Sequence, residues 1–258
     1  MNKILSPRVL LMKQEKFTLK SNNETISGVF TTPQLIKTPI SAVIICHGIP
    51  SMEGKNLAVE EKGYLQISDA FAKNGFISLV FNFQGCKGST GKYSPLNWVV
   101  NLNSIIEFVN LKFNVSRTFV LSFSGGAMIS VMTVAKNPKV NFLITCACPS
   151  DLTPNNNFIN LLGEGLLISF QEQKLNKNQI ISELEEINPL NWVNKISPRE
   201  ILILHGKKDD LIPPNHSKKL FTHAKEPKKI YFFENLGHKL RRESIVIDYV
   251  IKWCLEKI

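Results

Sequence analysis

Six short, mostly apolar runs recur along the chain: Ala42 to Cys46, Ile77 to Phe83, Thr118 to Leu121, Phe142 to Cys146, Glu200 to Leu204 and Lys229 to Phe233. Runs of this kind suit strands covered on both faces, because every side chain then meets apolar neighbours whichever way it points. Longer helix-like stretches separate them: one ending near Asn74, then Leu96 to Leu111, Gly125 to Lys136, Asn215 to Ala224 and Arg242 to Glu256. Strand alternating with helix predicts an α/β fold with a parallel, doubly wound sheet. Ahead of it, Lys16 to Leu19 and Thr25 to Thr31 alternate apolar and polar residues around the turn-forming Ser21-Asn22-Asn23. That is the pattern of an antiparallel hairpin at a sheet edge. The whole of 1–258 is expected to be a single domain.

One segment breaks the rhythm. From Asp151 to Ser197 there is no strand pattern, only Asn155-Asn156-Asn157, an amphipathic patch with Leu161, Leu162, Leu166, Leu167 and Phe170, and a charged helix-like stretch to Glu186. A loop of that length without its own structure is uncommon in a compact domain. Residues 151–197 are therefore expected to be a short helical insertion, either extra helices packed on the surface or a lid over a pocket.

Composition removes several function classes. Lysine and arginine outnumber aspartate and glutamate by ten, but no nucleic-acid-binding motif accompanies the charge, so nucleic acid is not expected as a partner. No run approaches the roughly 18 apolar residues of a membrane helix, and the Val9 to Met12 stretch is too short for a signal-peptide core. Cysteines number five, and Cys46, Cys86, Cys146 and Cys254 lie in or beside apolar segments, which fits reduced thiols better than a disulfide framework. A cytoplasmic location is the expectation.

The chemistry concentrates at strand ends. Val120-Leu121-Ser122-Phe123-Ser124-Gly125-Gly126-Ala127 runs an apolar strand straight into small residues and then a helix. So tight a reversal strains its apex residue and needs small neighbours two places before and after, here Ser122 and Gly126. Ser124 would stand above the sheet's C-terminal edge, and the Gly125 N–H at the start of the helix would point to where an oxyanion develops.

Around these residues the sequence resembles the α/β-hydrolase family, specifically small serine esterases and the catalytic domains of the dienelactone-hydrolase and prolyl-oligopeptidase type. The elbow resembles Gly-x-Ser-x-Gly with Ser122 in the first glycine's place. Ile44-Ile45-Cys46-His47-Gly48-Ile49-Pro50 is similar to the family's His-Gly-x-Pro loop, which implies Ile49 N–H as a second oxyanion donor and a bracing role for His47. Phe81-Asn82-Phe83-Gln84-Gly85-Cys86-Lys87-Gly88-Ser89-Thr90-Gly91 resembles the glycine-rich segment after the fourth strand, with Gln84 replacing the usual arginine. His205-Gly206-Lys207-Lys208-Asp209-Asp210-Leu211-Ile212-Pro213 resembles the acid loop and implies Asp209 as the acid, with Asp210 a surface carboxylate. Phe233-Glu234-Asn235-Leu236-Gly237-His238 implies His238 as general base. Of the other histidines, His205 belongs to the acid loop, and His216 and His223 to a surface helix.

The resemblance implies the α/β-hydrolase fold: a mostly parallel sheet of about eight strands, helices on both faces, the N-terminal hairpin and the insertion. It further implies a serine hydrolase with the nucleophile, acid, base order Ser124, Asp209, His238. The substrate would be a small or medium carboxylic ester, and no metal or cofactor is called for. Amide, peptide or thioester cleavage on the same residues, acyl transfer to an alcohol or amine, and a non-catalytic binding protein on the same scaffold stay open. The basic stretch Lys239 to Arg242 has two readings: the solvated start of the last helix, or attraction of anionic acyl substrates. Oligomeric state is not legible.

Overall fold

In the computed structural model, residues 12–35, 38–50, 63–154 and 156–258 are described. The basic Lys3 and Arg8, most of the Val9 to Met12 stretch, the segment following Pro50 and Asn155 lie outside these residues. The strands are β1 (Met12–Ser21), β2 (Glu24–Pro33), β3 (Ser41–Cys46), β4 (Ile77–Asn82), β5 (Arg117–Phe123), β6 (Phe142–Cys146), β7 (Glu200–Gly206) and β8 (Lys228–Phe233). They form one sheet in the order β1-β2-β4-β3-β5-β6-β7-β8. β1 pairs antiparallel with β2, and β2 with β4; every pairing from β4 to β8 is parallel.

The burial pattern explains the mixture. All residues of β3 and β4 are buried, as a strand covered on both faces requires, whereas β1 alternates between exposed and half-buried positions. The hairpin is longer than the apolar pattern foretold, with a ladder running from Met12 opposite Pro33 to Ser21 opposite Glu24. Backbone pairing at an edge continues through polar residues because their side chains stay in water.

The helices are α1 (Tyr64–Lys73), α2 (Pro95–Phe113), α3 (Gly125–Lys136), α4 (Asn157–Ser169), α5 (Lys177–Glu186), α6 (Asn215–His223) and α7 (Ser244–Leu255). On one face, Trp98, Leu102 and Ile106 of α2 and Met128 and Ile129 of α3 pack with Ala42, Ile44 and Val120. On the other, Ile67 and Phe71 of α1 and Val246 and Val250 of α7 pack with Val43, Ile45 and Leu121. The last helix starts two residues later than its pattern suggests. Leu240–Arg242 forms a separate 3-10 turn, and Glu243 is extended before the helix proper.

The insertion is helical. It carries α4 and α5, with 3-10 turns at Gln171–Gln173, Pro189–Asn191 and Val193–Lys195. Ile159, Leu166, Phe170, Ile180 and Leu184 are part of the same apolar cluster as α2 and α3. Polar tethers accompany them. The Gln173 amide donates to Gly85 O (2.7 Å) and accepts the Tyr93 N–H (2.5 Å). Buried Glu183 accepts Ser94 Oγ (2.6 Å) and Leu96 N–H (3.2 Å) at the start of α2. All five cysteines are free and buried. Among the described residues, no helix is long and apolar enough to cross a membrane and no cluster could hold a metal ion.

Candidate active site

β5 ends at Phe123 and α3 begins at Gly125, so Ser124 alone makes the reversal. Its φ of 50° and ψ of −124° are strained for a residue with a side chain, and the surroundings enforce them. Ser124 N–H donates to Cys146 O (2.8 Å) on the neighbouring strand, and Ser124 O accepts the Ala127 N–H (2.8 Å). Gly126 has to be glycine for space: a Cβ there would stand 2.2 Å from His47 O. Ser122 fits because its hydroxyl is absorbed into the sheet, donating to Ile144 O at 2.9 Å.

The loop after β3 passes directly over this elbow. A Cβ on Gly48 would lie 3.0 Å from Ser124 Cβ, and one on Gly125 would lie 3.3 Å from Ile49 N. Ile49 thus lies against Gly125, and Gly48 against the Ser124 side chain. His47 braces the loop in the way its context suggests: Nδ1 donates to Gly48 O (2.6 Å) and Nε2 accepts the Phe83 N–H (3.1 Å). A residue that sequence reasoning missed, Tyr64 of α1, accepts the Gly48 N–H at 3.2 Å. Nothing in its local sequence marks it, because the contact crosses from a helix to a distant loop. Burial raises its pKa to about 12, so the phenol stays protonated.

Asp209 follows β7 and His238 follows β8. His238 Nε2 lies 3.0 Å from Ser124 Oγ, and His238 Nδ1 donates to Asp209 Oδ2 at 2.9 Å. The chain therefore brings together the hydroxyl, imidazole and carboxylate expected to meet. Asp210 is exposed and takes no part. Asp209 Oδ1 accepts the N–H groups of Leu211 (3.0 Å) and Ile212 (2.8 Å). Burial works to raise the Asp209 pKa, but bonds from His205, His238 and the Ile212 N–H outweigh it and hold the carboxyl well below the usual carboxylate range.

One expectation needs amending. His216 is on α6 but is buried, not on a surface. Its Nδ1 accepts the N–H groups of Ser150 (3.1 Å) and Asp151 (3.3 Å), and its ring packs on Phe158 with centroids 4.4 Å apart. Burial lowers its pKa to about 4. Gln84, where an ion pair would otherwise anchor the glycine-rich loop, anchors it with neutral bonds. Its side chain donates to Lys92 O (2.8 Å), its N–H donates to Asn101 Oδ1 (2.9 Å), and its carbonyl accepts the Trp98 indole N–H (2.8 Å).

A cavity of about 80 Å³ lies between Pro50, the Gly85-Cys86 turn and residues 169–173 of the insertion. The loop after β3, the glycine-rich loop and the insertion thus share one hollow.

Comparison with known proteins bears on the family and the fold. The model of the BD-FAE family matches residues 30–224. Esterase YjfP of Escherichia coli (strain K12) is 26% identical over 198 residues, covering 71% of this chain and 74% of that protein. The uncharacterized protein YfhR of the same organism is 42% identical over 48 residues, a match spanning 19% of this chain and 17% of YfhR's length. Among solved structures, Est1E from Butyrivibrio proteoclasticus with ferulic acid bound superposes with a TM-score of 0.74 at 15% identity. That overlap takes in 93% of this chain and 98% of that one.

Proposed function

The chain belongs to the BD-FAE family and has the α/β-hydrolase fold, and from that premise we propose that it is a serine esterase acting through Ser124, His238 and Asp209. The observation that carries this reading is the unbroken line from Asp209 Oδ2 through the His238 ring to Ser124 Oγ, with steps of 2.9 and 3.0 Å. His238 Nε2 takes the serine proton as Oγ attacks the ester carbonyl, and the Asp209 carboxylate keeps the imidazole in the Nδ1–H tautomer and stabilises it once charged. The Ile49 and Gly125 amides face the developing oxyanion, with the start of α3 adding its dipole. The imidazolium returns its proton to the leaving alcohol. Water, deprotonated by the same ring, then frees the acid from Ser124. A small or medium carboxylic ester is the substrate class we take, as suits a single domain with a modest helical insertion.

A fluorophosphonate probe with peptide mapping tests the reading, run beside p-nitrophenyl esters of rising chain length. Label is expected on Ser124. Ser124→Ala should abolish labelling and hydrolysis, and Asp209→Asn should cut kcat by about 10⁴ by admitting the wrong tautomer. Label on another residue, or hydrolysis surviving Ser124→Ala, would overturn it.

A further inference from the structure

His205 closes β7 and is fully buried. Its Nε2 lies 2.8 Å from Ile212 O and 3.1 Å from Asp209 Oδ2, and its Nδ1 lies 2.6 Å from Ser217 Oγ in the first turn of α6. A carbonyl oxygen can only accept, so Nε2 carries the proton, and Nδ1 accepts from the Ser217 hydroxyl. The Nε2–H is hydrogen-bonded to Ile212 O, and the carboxylate oxygen Oδ2 lies 3.1 Å from the same nitrogen. Asp209 is satisfied on both oxygens, with two backbone N–H groups on Oδ1 and the His238 Nδ1–H on Oδ2, and His205 Nε2 stands 3.1 Å from Oδ2 as well. A chain of side chains in close contact runs Ser217, His205, Asp209, His238, Ser124, with the two serine hydroxyls at its ends beside the rings.

We propose that His205 is a positioning residue for the reaction: its Nε2–H holds Oδ2 of Asp209 in line with His238 and shares the carboxylate's charge. The acid then neither swings away from the ring nor takes up its proton. This role rests on the triad reading above. An imidazole is a costly way to fill a buried position if packing were its only purpose, because both nitrogens need partners. Here the partners lie on the acid loop and on α6, so His205 ties the acid to two elements at once. The titratable group facing this cluster from α6 is His216, held neutral because burial lowers its pKa to about 4, with the ion-paired Asp151 and Lys219 beyond it.

The test uses glutamine and asparagine at position 205 of the full chain. The amide nitrogen of Gln reaches the place of Nε2, whereas that of Asn reaches only the place of Nδ1, so only His205→Gln can still donate to Oδ2. His205→Asn is expected to lower kcat about ten- to a hundredfold with KM within about twofold. With one donor fewer, the carboxylate becomes more basic and holds the charged ring more tightly, so the acid limb of the kcat/KM profile moves to higher pH. For the same reason, the downfield proton resonance of the bond between His238 and Asp209 moves further downfield. His205→Gln should restore all three. The idea is overturned if the two variants behave alike in kcat, acid limb and resonance, whether both are normal or both impaired. If neither folds, Ser217→Ala decides: an unchanged limb and resonance overturn the idea, and a smaller shift in the same direction supports it. The resonance needs no turnover. Should Ser124→Ala leave hydrolysis intact, the triad reading falls while the coupling of His205 to Asp209 is still read directly.

Discussion

Gly126 offers the sharpest mechanical test of the elbow. Replacing it with alanine adds one methyl group, yet that carbon would sit 2.2 Å from His47 O, 3.0 Å from His47 C and 3.3 Å from Cys46 O. Ordinary contacts of this kind begin near 3.4 Å, so α3 and the end of β3 must separate by more than 1 Å. All three obstacles are backbone, at the end of β3 and in the residue just past it, where Cys46 pairs with Ser122 of β5, and no side-chain rotation relieves them. Overpacking of this sort costs about 1–3 kcal/mol, which for a chain of this size lowers Tm by roughly 2–12 °C. The greater effect falls on rate, because α3 carries the Gly125 N–H and the loop after β3 carries that of Ile49. A displacement of about 1 Å between groups that must converge on one oxygen costs on the order of 10² in kcat/KM. Hydrolysis of p-nitrophenyl acetate, the rate of fluorophosphonate labelling and thermal melting are measured together. Gly165→Ala in α4 serves as the control, since its added carbon would meet nothing within 4 Å. It should leave turnover unchanged and stabilise the helix by roughly 0.5–1 kcal/mol. Wild-type turnover in Gly126→Ala, with the fold intact, would show that the close approach does not set the geometry.

Other perturbations test other joints. Glu183→Ala removes the acceptor for Ser94 Oγ and Leu96 N–H and should cost about 2–3 kcal/mol in chemical denaturation, with Glu183→Gln losing less because one oxygen remains. For His216, the folded chain resists protonation to about pH 4, whereas the ordinary value is 6.5, so the unfolded state binds the proton first and acidification through that window favours unfolding. His216→Asn keeps an acceptor for the Ser150 and Asp151 N–H groups without titrating. The wild type should therefore lose up to about 2 kcal/mol relative to this variant between pH 6.5 and 4, and a pH-independent difference would refute it.

How much of this was legible varied with the range of the interaction. The parallel strands and the elbow were readable because each is encoded within about ten neighbouring residues, as an apolar run or a tight turn among small residues, whereas Asp209 and His238 were reached through the resemblance of their loops to a known family. Contacts between segments far apart in the chain were not readable. Tyr64 reaching Gly48, and Gln173 joined to Gly85 and Tyr93, become visible only once the sheet sets the loops side by side. The surface placement of His216 failed for a related reason. The lysines at 218 and 219 suggested a solvated helix, but the first turn of α6 faces inward against Phe158 and the chain after β6.

The insertion between β6 and β7 has a kinetic consequence. Ile159, Leu166, Phe170, Ile180 and Leu184 share the main core, and burying each stabilises by about 1.5–3 kcal/mol, so lifting the whole segment away would cost about 8–15 kcal/mol. That is the scale of unfolding an entire domain. A flap swinging between open and shut would need a gap of only a few kcal/mol. On the esterase reading, an ester passing beside the insertion would therefore meet a segment that stays in place. Turnover should then respond to the girth of the substrate and stay indifferent to solvent viscosity.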